Sequence, residues 1–213
     1  GATCEAEYDV PSDAWYFQAG RQPEMPFSVL LEAGLQPCGW LAAYLGSALT
    51  SATDLKFRNL ESNAVQHRPV TPESGTLTTK VTITRIASSG GMIIQNYDFE
   101  ISDHLGPVYT GDTVFGFFSA ESLAQQVGVR EAQPYQPSAE EVARGEQFDY
   151  PTEAPFPATK LRMIDRIELF VADGGPQSLG FIRGSKLVDP DEWFFNAHFY
   201  QDPVCPGSLG LES

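Results

Sequence analysis

The hydrophobic pattern of this chain begins with one long apolar segment. Residues 29–45 are apolar on nearly every side, which is typical of a buried helix. Ser28 directly precedes the segment and is a candidate N-cap. Pro37 lies inside it and should kink the helix, because its ring removes a backbone donor. The pattern therefore predicts one kinked, buried helix.

Most of the remaining chain alternates apolar and polar residues, which indicates half-buried strands. The candidate strands are residues 2–10, 55–58, 76–87, 92–101, 108–118, 161–171 and 179–188. The sequence Ser88-Ser89-Gly90-Gly91 is a hairpin turn between two of them. One buried helix followed by long antiparallel strands predicts an α+β fold.

A proline-rich, acidic stretch interrupts this pattern. Residues 129–158 contain five prolines and are interpreted as a linker with limited structure. Ser138 and Glu141 form a capping-box signal for one short helix within it. The predicted organisation is a first domain over 1–128 and the beginning of a second over 159–213.

Two blocks of sequence occur twice in the same order. Residues 25–32 (MPFSVLLE) align with residues 205–212 (CPGSLGLE), and residues 13–17 (DAWYF) align with residues 191–195 (DEWFF). Each copy then consists of a strand, a turn, an aromatic run, a loop, a proline and a helix start. The chain is therefore interpreted as two copies of one module, the second truncated.

The copies differ at positions that can carry chemistry. His198 of the second copy aligns with Gly20 of the first, and Gly207 aligns with Phe27. A carboxylate is kept in both copies, as Glu32 and Glu212. Gln36 follows Glu32 by four residues, which places the two on one face of a helix.

Charge and composition narrow the function classes. The formal net charge is −15, which disfavours binding to nucleic acid or to anionic membrane surfaces. No apolar run is long enough to span a bilayer, and no signal peptide is visible. The three cysteines, Cys4, Cys38 and Cys205, lack metal or disulfide spacing and fit a reducing cytoplasm. The first residue is Gly, not Met, and the last residues stop soon after a helix start, so we expect a piece of a longer polypeptide.

The richest chemistry lies in residues 193–212, which hold an aromatic run, one histidine, a Pro-Gly turn and a carboxylate. A single histidine is more often structural than catalytic, so spacing alone does not decide the role of His198. Cys205 beside Pro206 could be a nucleophile, but no partner pattern supports that role. A carboxylate within an apolar helix, as at Glu32, costs free energy when it is buried without a partner. This cost favours a functional role for Glu32.

The pattern Trp-Phe-Phe-x-x-His-Phe-x-x-Asp-Pro-Val-x-Pro-Gly-x-Leu-Gly-Leu-acid resembles the 3-hydroxyacyl thioester dehydratases of fatty acid synthesis. These form the dehydratase/isomerase branch of the hotdog fold, in which an antiparallel sheet wraps one long helix. The whole chain is similar to the tandem dehydratase region of a polyunsaturated fatty acid synthase. The resemblance implies a tandem hotdog whose first copy lacks its first strand.

The resemblance also implies roles for individual residues. The family takes its histidine from one hotdog and its acid from the other, so His198 would be the base and Glu32 the acid, supported by Gln36. Gly207 would supply an oxyanion-hole amide, next to Cys205 in the substrate-binding turn. Glu212 would belong to a reciprocal site whose base is absent, which predicts one competent site per tandem. The usual acid of the family is Asp, so Glu32 departs from the pattern by one methylene.

The implied reaction is the dehydration of 3-hydroxyacyl thioesters to 2-enoyl thioesters, with double-bond isomerisation as an open extension. The substrate would arrive on an acyl carrier protein domain of the same synthase, and no metal or other cofactor is expected. A non-catalytic acyl-binding or scaffolding module is the alternative, and a hotdog thioesterase is a third hypothesis. A homodimer is a further expectation, because the hairpin at 161–188 could complete the first sheet, either within the chain or by exchange between two chains.

Overall fold

The computed structural model describes residues 1–20, 22–128, 130–150, 159–199 and 201–213. These residues form two units, Gly1–Gln126 and Val127–Ser213. The elements of the first unit are β1 (Thr3–Asp9), α1 (Phe27–Tyr44), β2 (Lys56–Gln66), β3 (Thr76–Ser89), β4 (Met92–Asp103), β5 (Gly106–Phe118) and α2 (Ala120–Ala124). Those of the second are α3 (Ala139–Arg144), β6 (Glu146–Asp149), β7 (Arg166–Val171) and β8 (Phe181–Ser185).

The first unit is one antiparallel sheet packed against one helix. The strands lie in the order β1-β3-β4-β5-β2. Helix α1 contacts β1, β3 and β4, and its residues Leu30, Cys38 and Leu41 share a core with apolar residues of the sheet. The α+β prediction is therefore confirmed.

Two predictions about α1 need correction. The helix is not buried all round, because Trp40 is 59% and Tyr44 is 74% exposed and their rings stack on each other. Ser28 is not the N-cap. The helix begins at Phe27 after Pro26, whose extended backbone (φ −56°, ψ 148°) turns the chain into the helix, and Ser28 is buried in the first turn.

Pro37 lies inside α1, as the sequence predicted. Its missing N–H deprives the carbonyl of Ala33, four residues earlier, of its usual helical donor. The hydroxyl of Thr79 on β3 donates to that carbonyl at 3.4 Å. The Thr79–Ala33 hydrogen bond therefore satisfies, from the sheet, a helix carbonyl that the proline leaves open.

Strand β2 is much longer than the four residues the alternation indicated. Its register against β5 shifts between Asn59 and Glu61. This bulge leaves Leu60 exposed, and the hydroxyl of Thr113 on β5 donates to the Glu61 carbonyl at 3.0 Å. A bulge breaks the alternation of apolar and polar residues, which explains why the sequence indicated no strand after residue 58.

The stretch interpreted as a linker contains regular structure at 139–149. Helix α3 carries the complete capping box of Ser138 and Glu141, which confirms the helix signal. Strand β6 pairs with β7. Residues 151–158, which complete that stretch, lie outside the described residues. The domain boundaries remain a prediction.

Strands β6, β7 and β8 form a separate three-stranded sheet in that order. The hypothesis that the hairpin at 161–188 completes the first sheet within the chain is therefore wrong: within the described residues it pairs with β6. The carboxylate of Glu141 fastens α3 to the loop of that hairpin by accepting the N–H of Gly175 at 2.9 Å. Strand β8 forms one edge of this sheet, and around it Leu179, Ile182, Leu187 and Val188 are exposed.

The aromatic runs of the two repeats adopt the same local structure. Each is a four-residue 3-10 helix, Trp15–Gln18 in the first unit and Trp193–Asn196 in the second. The rings of Trp15 and Tyr16 lie 5.7 Å apart at 74°, and those of Trp193 and Phe194 lie 5.7 Å apart at 78°. This agreement supports the interpretation of the chain as two copies of one module.

Candidate active site

His198 directly follows the second aromatic turn and is held by the backbone on both sides of its loop. Its N–H donates to the carbonyl of Phe194 at 2.9 Å, and its carbonyl accepts the N–H of Val204 at 2.8 Å. Phe194 is buried, which fixes the start of the loop. The backbone of His198 is therefore tied at 194 and at 204.

The imidazole ring has a third attachment. Nδ1 of His198 lies 2.8 Å from the carbonyl oxygen of Val204. A carbonyl can only accept, so Nδ1 carries the hydrogen. In the neutral ring the unprotonated nitrogen is then Nε2, which is the form a general base requires. The half-buried ring also lies against Phe199, with centroids 3.7 Å apart.

In the first unit the equivalent position is Gly20, which follows the first aromatic turn. This position carries no imidazole and no other titratable group. The two copies thus share a backbone turn and differ in the group that the turn presents.

Gly207 lies at the Pro-Gly turn after the histidine loop. It is exposed, and a Cβ placed on it would meet no atom within 4 Å. The following residues, where the sequence indicated a helix start, form a four-residue 3-10 helix, Leu209–Glu212. The N–H of Leu209 donates to the carbonyl of Pro206 at 3.1 Å, so the chain turns immediately after Gly207.

Glu32 and Gln36 lie one turn apart on α1, as their spacing predicted. Nε2 of Gln36 donates to Oε2 of Glu32 at 3.1 Å. Glu32 is half-buried and Gln36 is exposed. The Gln36 amide therefore contacts one oxygen of the Glu32 carboxyl group.

The surroundings of Cys205 disfavour nucleophilic chemistry. Loss of water around the sulfur raises the pKa of the Cys205 thiol, and the negative charge of Glu192 raises it further, against an opposing effect of Lys186. Glu192 is in turn paired with Lys186, whose Nζ lies 2.5 Å from its Oε1. A thiol with a raised pKa is scarcely ionised at neutral pH, and the thiolate is the reactive form.

The candidate residues thus fall into two groups. Glu32 and Gln36 are in contact in the first unit, whereas His198, Cys205, Gly207 and Glu212 belong to the second. The pairing of His198 with Glu32 remains a prediction, and so does the role of Glu212, which is half-buried in the last 3-10 helix. Val204 was missed, because its contribution comes from a backbone carbonyl that the residue type does not reveal.

Within the described residues, no three His, Cys, Asp or Glu side chains come together in a group that could hold a metal ion. No helix in the described ranges is long and apolar enough to cross a membrane.

Comparison with known proteins gives matches of two kinds. The chain is 34% identical to a subunit of the polyunsaturated fatty acid synthase of Thraustochytrium sp. (strain ATCC 26185 / S-3) over 99% of its own length, and it spans only 16% of that relative. Among solved structures it is similar to the dehydratase heterocomplex ApeI:P of Xenorhabdus doucetiae, with 14% identity, a TM-score of 0.47 and coverage of 60% of this chain and 82% of that one. A thioesterase of Staphylococcus aureus subsp. aureus Mu50 gives 15% identity, a TM-score of 0.41 and coverage of 55% and 86%.

The model of the FabA-like domain matches residues 1–110 and 156–213. The match omits α2, α3 and β6, and it includes both aromatic turns and both Pro-containing helix starts. The predicted hotdog fold is thereby confirmed. The chain belongs to the FabA-like domain family.

Proposed function

We propose that this chain is part of a dehydratase that converts 3-hydroxyacyl thioesters to 2-enoyl thioesters. The observation that carries the proposal is the hydrogen bond from Nδ1 of His198 to the Val204 carbonyl. It leaves Nε2 unprotonated, as required of a base that removes the proton next to a thioester carbonyl. Membership of the FabA-like family and the similarity to part of a fatty acid synthase support it.

In this proposal His198 takes the α-proton through Nε2. The Val204 carbonyl keeps accepting from Nδ1–H, which stabilises the imidazolium that forms. Negative charge develops on the thioester oxygen as the C–H bond breaks. The Gly207 N–H would donate to that oxygen, and one such donor typically contributes about 3 kcal/mol.

The hydroxyl group on the β-carbon leaves only if it is protonated, because it then departs as water. Glu32 would give the proton from Oε1, since Gln36 donates to Oε2. Water forms from the hydroxide and that proton, and the electron pair of the broken C–H bond becomes the new double bond. His198 ends with one proton more and Glu32 with one fewer, so a proton must return from His198 to Glu32 before the next turnover.

We further propose one competent site per tandem. The reciprocal site would contain Glu212, but Gly20 stands where a base is required and Phe27 stands where the oxyanion glycine is required. Isomerisation of the new double bond would use the same imidazole, which would remove a γ-proton and return a proton to the α-carbon. It would appear as a 3-enoyl product alongside the 2-enoyl product.

The substrate would arrive on an acyl carrier protein domain of a longer synthase. A net charge of −15 gives no attraction to an acidic carrier. Tethering on one assembly would replace that attraction by raising the effective concentration. We also propose that other domains of such a synthase, or a second copy of the chain, are further partners, and that the protein acts in the cytoplasm.

The test is the hydration of a 2-enoyl thioester, followed by the loss of its conjugated absorbance. His198→Ala and Glu32→Ala should each lower the rate by about 10²- to 10⁴-fold, the usual contribution of a general acid or base. His104→Ala is the matched control, because His104 is exposed in the β4–β5 turn and should leave the rate unchanged. Undiminished activity of His198→Ala would rule out the assigned base.

The same assay separates the alternatives. Binding of an acyl thioester without turnover, in a folded protein, would indicate a non-catalytic acyl-binding or scaffolding module. Release of free thiol would indicate a thioesterase.

A further inference from the structure

Phe27 and Gly207 occupy the same position in the two copies but have opposite surroundings. Both follow a proline whose carbonyl accepts the N–H three residues later, Pro26 to Val29 at 3.0 Å and Pro206 to Leu209 at 3.1 Å. Around Gly207 a side chain would find open space. The Phe27 ring, in contrast, stands edge-on to Tyr109, with centroids 5.7 Å apart at 85°.

Tyr109 on β5 is an unusual core residue. It is 0% exposed, and its buried hydroxyl has no hydrogen-bond partner among the described residues. The loss of water raises its pKa to about 12, so it remains a neutral phenol that can donate. A buried polar group without a partner typically costs about 1–3 kcal/mol. Phenylalanine would fill the same space without that cost, so the hydroxyl requires an explanation.

We propose that Phe27 plugs a latent carbonyl-binding site at the N-terminus of α1, and that the Tyr109 hydroxyl is the donor of that site. Phe27 is 39% exposed, and its ring contacts the ring of the fully buried Tyr109. The ligand would be an apolar acyl chain bearing a carbonyl oxygen, because the Tyr109 donor is neutral and its ring lies against the apolar rings of Phe27 and Phe99. This choice of ligand rests on the proposed function.

Removing the plug should open the site. The probe is a hexanoyl-pantetheine analogue in which a methylene replaces the thioester sulfur, so that it binds and cannot be cleaved. By isothermal titration calorimetry, Phe27→Gly should bind one more equivalent of this ketone than the unaltered protein. Phe27→Ala is the second variant in case Phe27→Gly does not fold, and Phe27→Leu, which keeps a bulky apolar plug, should gain no site.

Tyr109→Phe in the Phe27→Gly background should weaken the added site about tenfold, the effect of one lost buried hydrogen bond. In the otherwise unaltered protein, Tyr109→Phe should raise Tm, because it removes an unpaired hydroxyl. A purely structural role for Tyr109 would predict the opposite change in Tm and no change in ligand affinity.

Gly207→Phe separates this site from the one assigned to the second unit. The double variant Phe27→Gly with Gly207→Phe should still bind at the added site. This binding result does not depend on hydration activity. Loss of activity would therefore contradict the proposed reaction, and loss of added binding would contradict the proposed site. The proposal is overturned if folded Phe27→Gly or Phe27→Ala gains no site, or if Tyr109→Phe leaves the affinity of the added site unchanged.

Discussion

Two of the proposed site residues each have one polar atom held by a neutral neighbour. The Val204 carbonyl occupies Nδ1 of His198, and the Gln36 amide occupies Oε2 of Glu32. In both pairs, we propose, the neutral partner influences which atom of the side chain exchanges a proton. Neither partner carries a charge, so the selection works by geometry.

Gln36→Leu tests this selection. Without the amide donor, the Glu32 carboxyl loses one of the contacts that orient it. We expect kcat for enoyl thioester hydration to fall about tenfold, the effect of one lost hydrogen bond of about 1.4 kcal/mol, while KM changes little. Gln36→Glu is the informative companion, because it keeps the side-chain length and loses the donor. A change confined to KM would show that Gln36 acts on binding.

The Glu141 carboxylate should make the stability of the protein depend on pH in the acid range. The carboxylate of Glu141 accepts the N–H groups of Ser138 and Gly175 and the hydroxyl of Tyr135, which hold its pKa at about 2, compared with 4.5 for an unperturbed Glu. A pKa that is lower in the folded state stabilises the protein above the unfolded pKa, and this contribution is lost as the pH falls towards 2.

Glu141→Gln should therefore lower Tm at pH 7, and the difference in Tm from the unaltered protein should shrink as the pH falls from 5 to 2.5. Thermal denaturation followed by circular dichroism measures both. Asp103, whose pKa is lowered chiefly by its hydrogen bond with Arg68, contributes equally to both proteins. A difference in Tm that stayed constant with pH would contradict this account.

At the scale of elements, helix α1 and the sheet compensate for each other's irregularities. Pro37 removes one helical donor, and Thr79 supplies a donor from β3. Thr79→Val should cost about 1 kcal/mol of unfolding free energy in the unaltered protein. In a Pro37→Ala background the restored N–H satisfies the Ala33 carbonyl, so the same substitution should cost less. Urea denaturation of the four proteins of this double-mutant cycle measures the coupling, and strictly additive effects would contradict it.

The elements also show how far sequence reasoning extends. Strands 76–87 and 92–101 were predicted to within two residues, since their alternation is regular. Strand β2 was truncated because its bulge at Asn59 breaks the period, and strand β6 was missed because it is only four residues long within a proline-rich stretch. Local periodicity cannot detect either feature.

In the candidate site, too, some groups are visible in the sequence and others only in the folded structure. The side chains of His198 and Glu32 could be proposed because their residue types and spacing are visible in the sequence. The acceptor at Val204 could not, because every residue carries a carbonyl and only the folded loop selects one. The orphan hydroxyl of Tyr109 was equally invisible, since tyrosine is an ordinary residue of a strand.

At the scale of the whole molecule, the two units should respond separately to local damage. Each unit contains one helix capped by a serine: Ser119 accepts from the N–H of Ser122 at 3.1 Å, and Ser138 accepts from the N–H of Glu141 at 3.2 Å. Ser138→Ala should cost about 1 kcal/mol and speed hydrogen exchange about fivefold in α3 and β6, while β3 to β5 keep their protection. Ser119→Ala is the matched control and should affect only residues around α2. Mass-spectrometric hydrogen exchange on the full chain measures both.

The open edge at β8 bears on how the protein behaves at high concentration. Strand β1, an edge of the first sheet, carries the charged residues Glu5, Glu7 and Asp9, whereas β8 exposes Ile182 beside a single charged residue, Arg183, and Leu179, Leu187 and Val188 are exposed nearby. Natural proteins blunt such edges with charge, because an open edge is a template for aggregation. Further protection at β8 comes from the net charge of −15, whose repulsion is screened beyond about 10 Å at 0.1 M salt. Low-salt buffers should therefore keep the chains dispersed, and added salt should bring precipitation or crystal growth that starts at this edge.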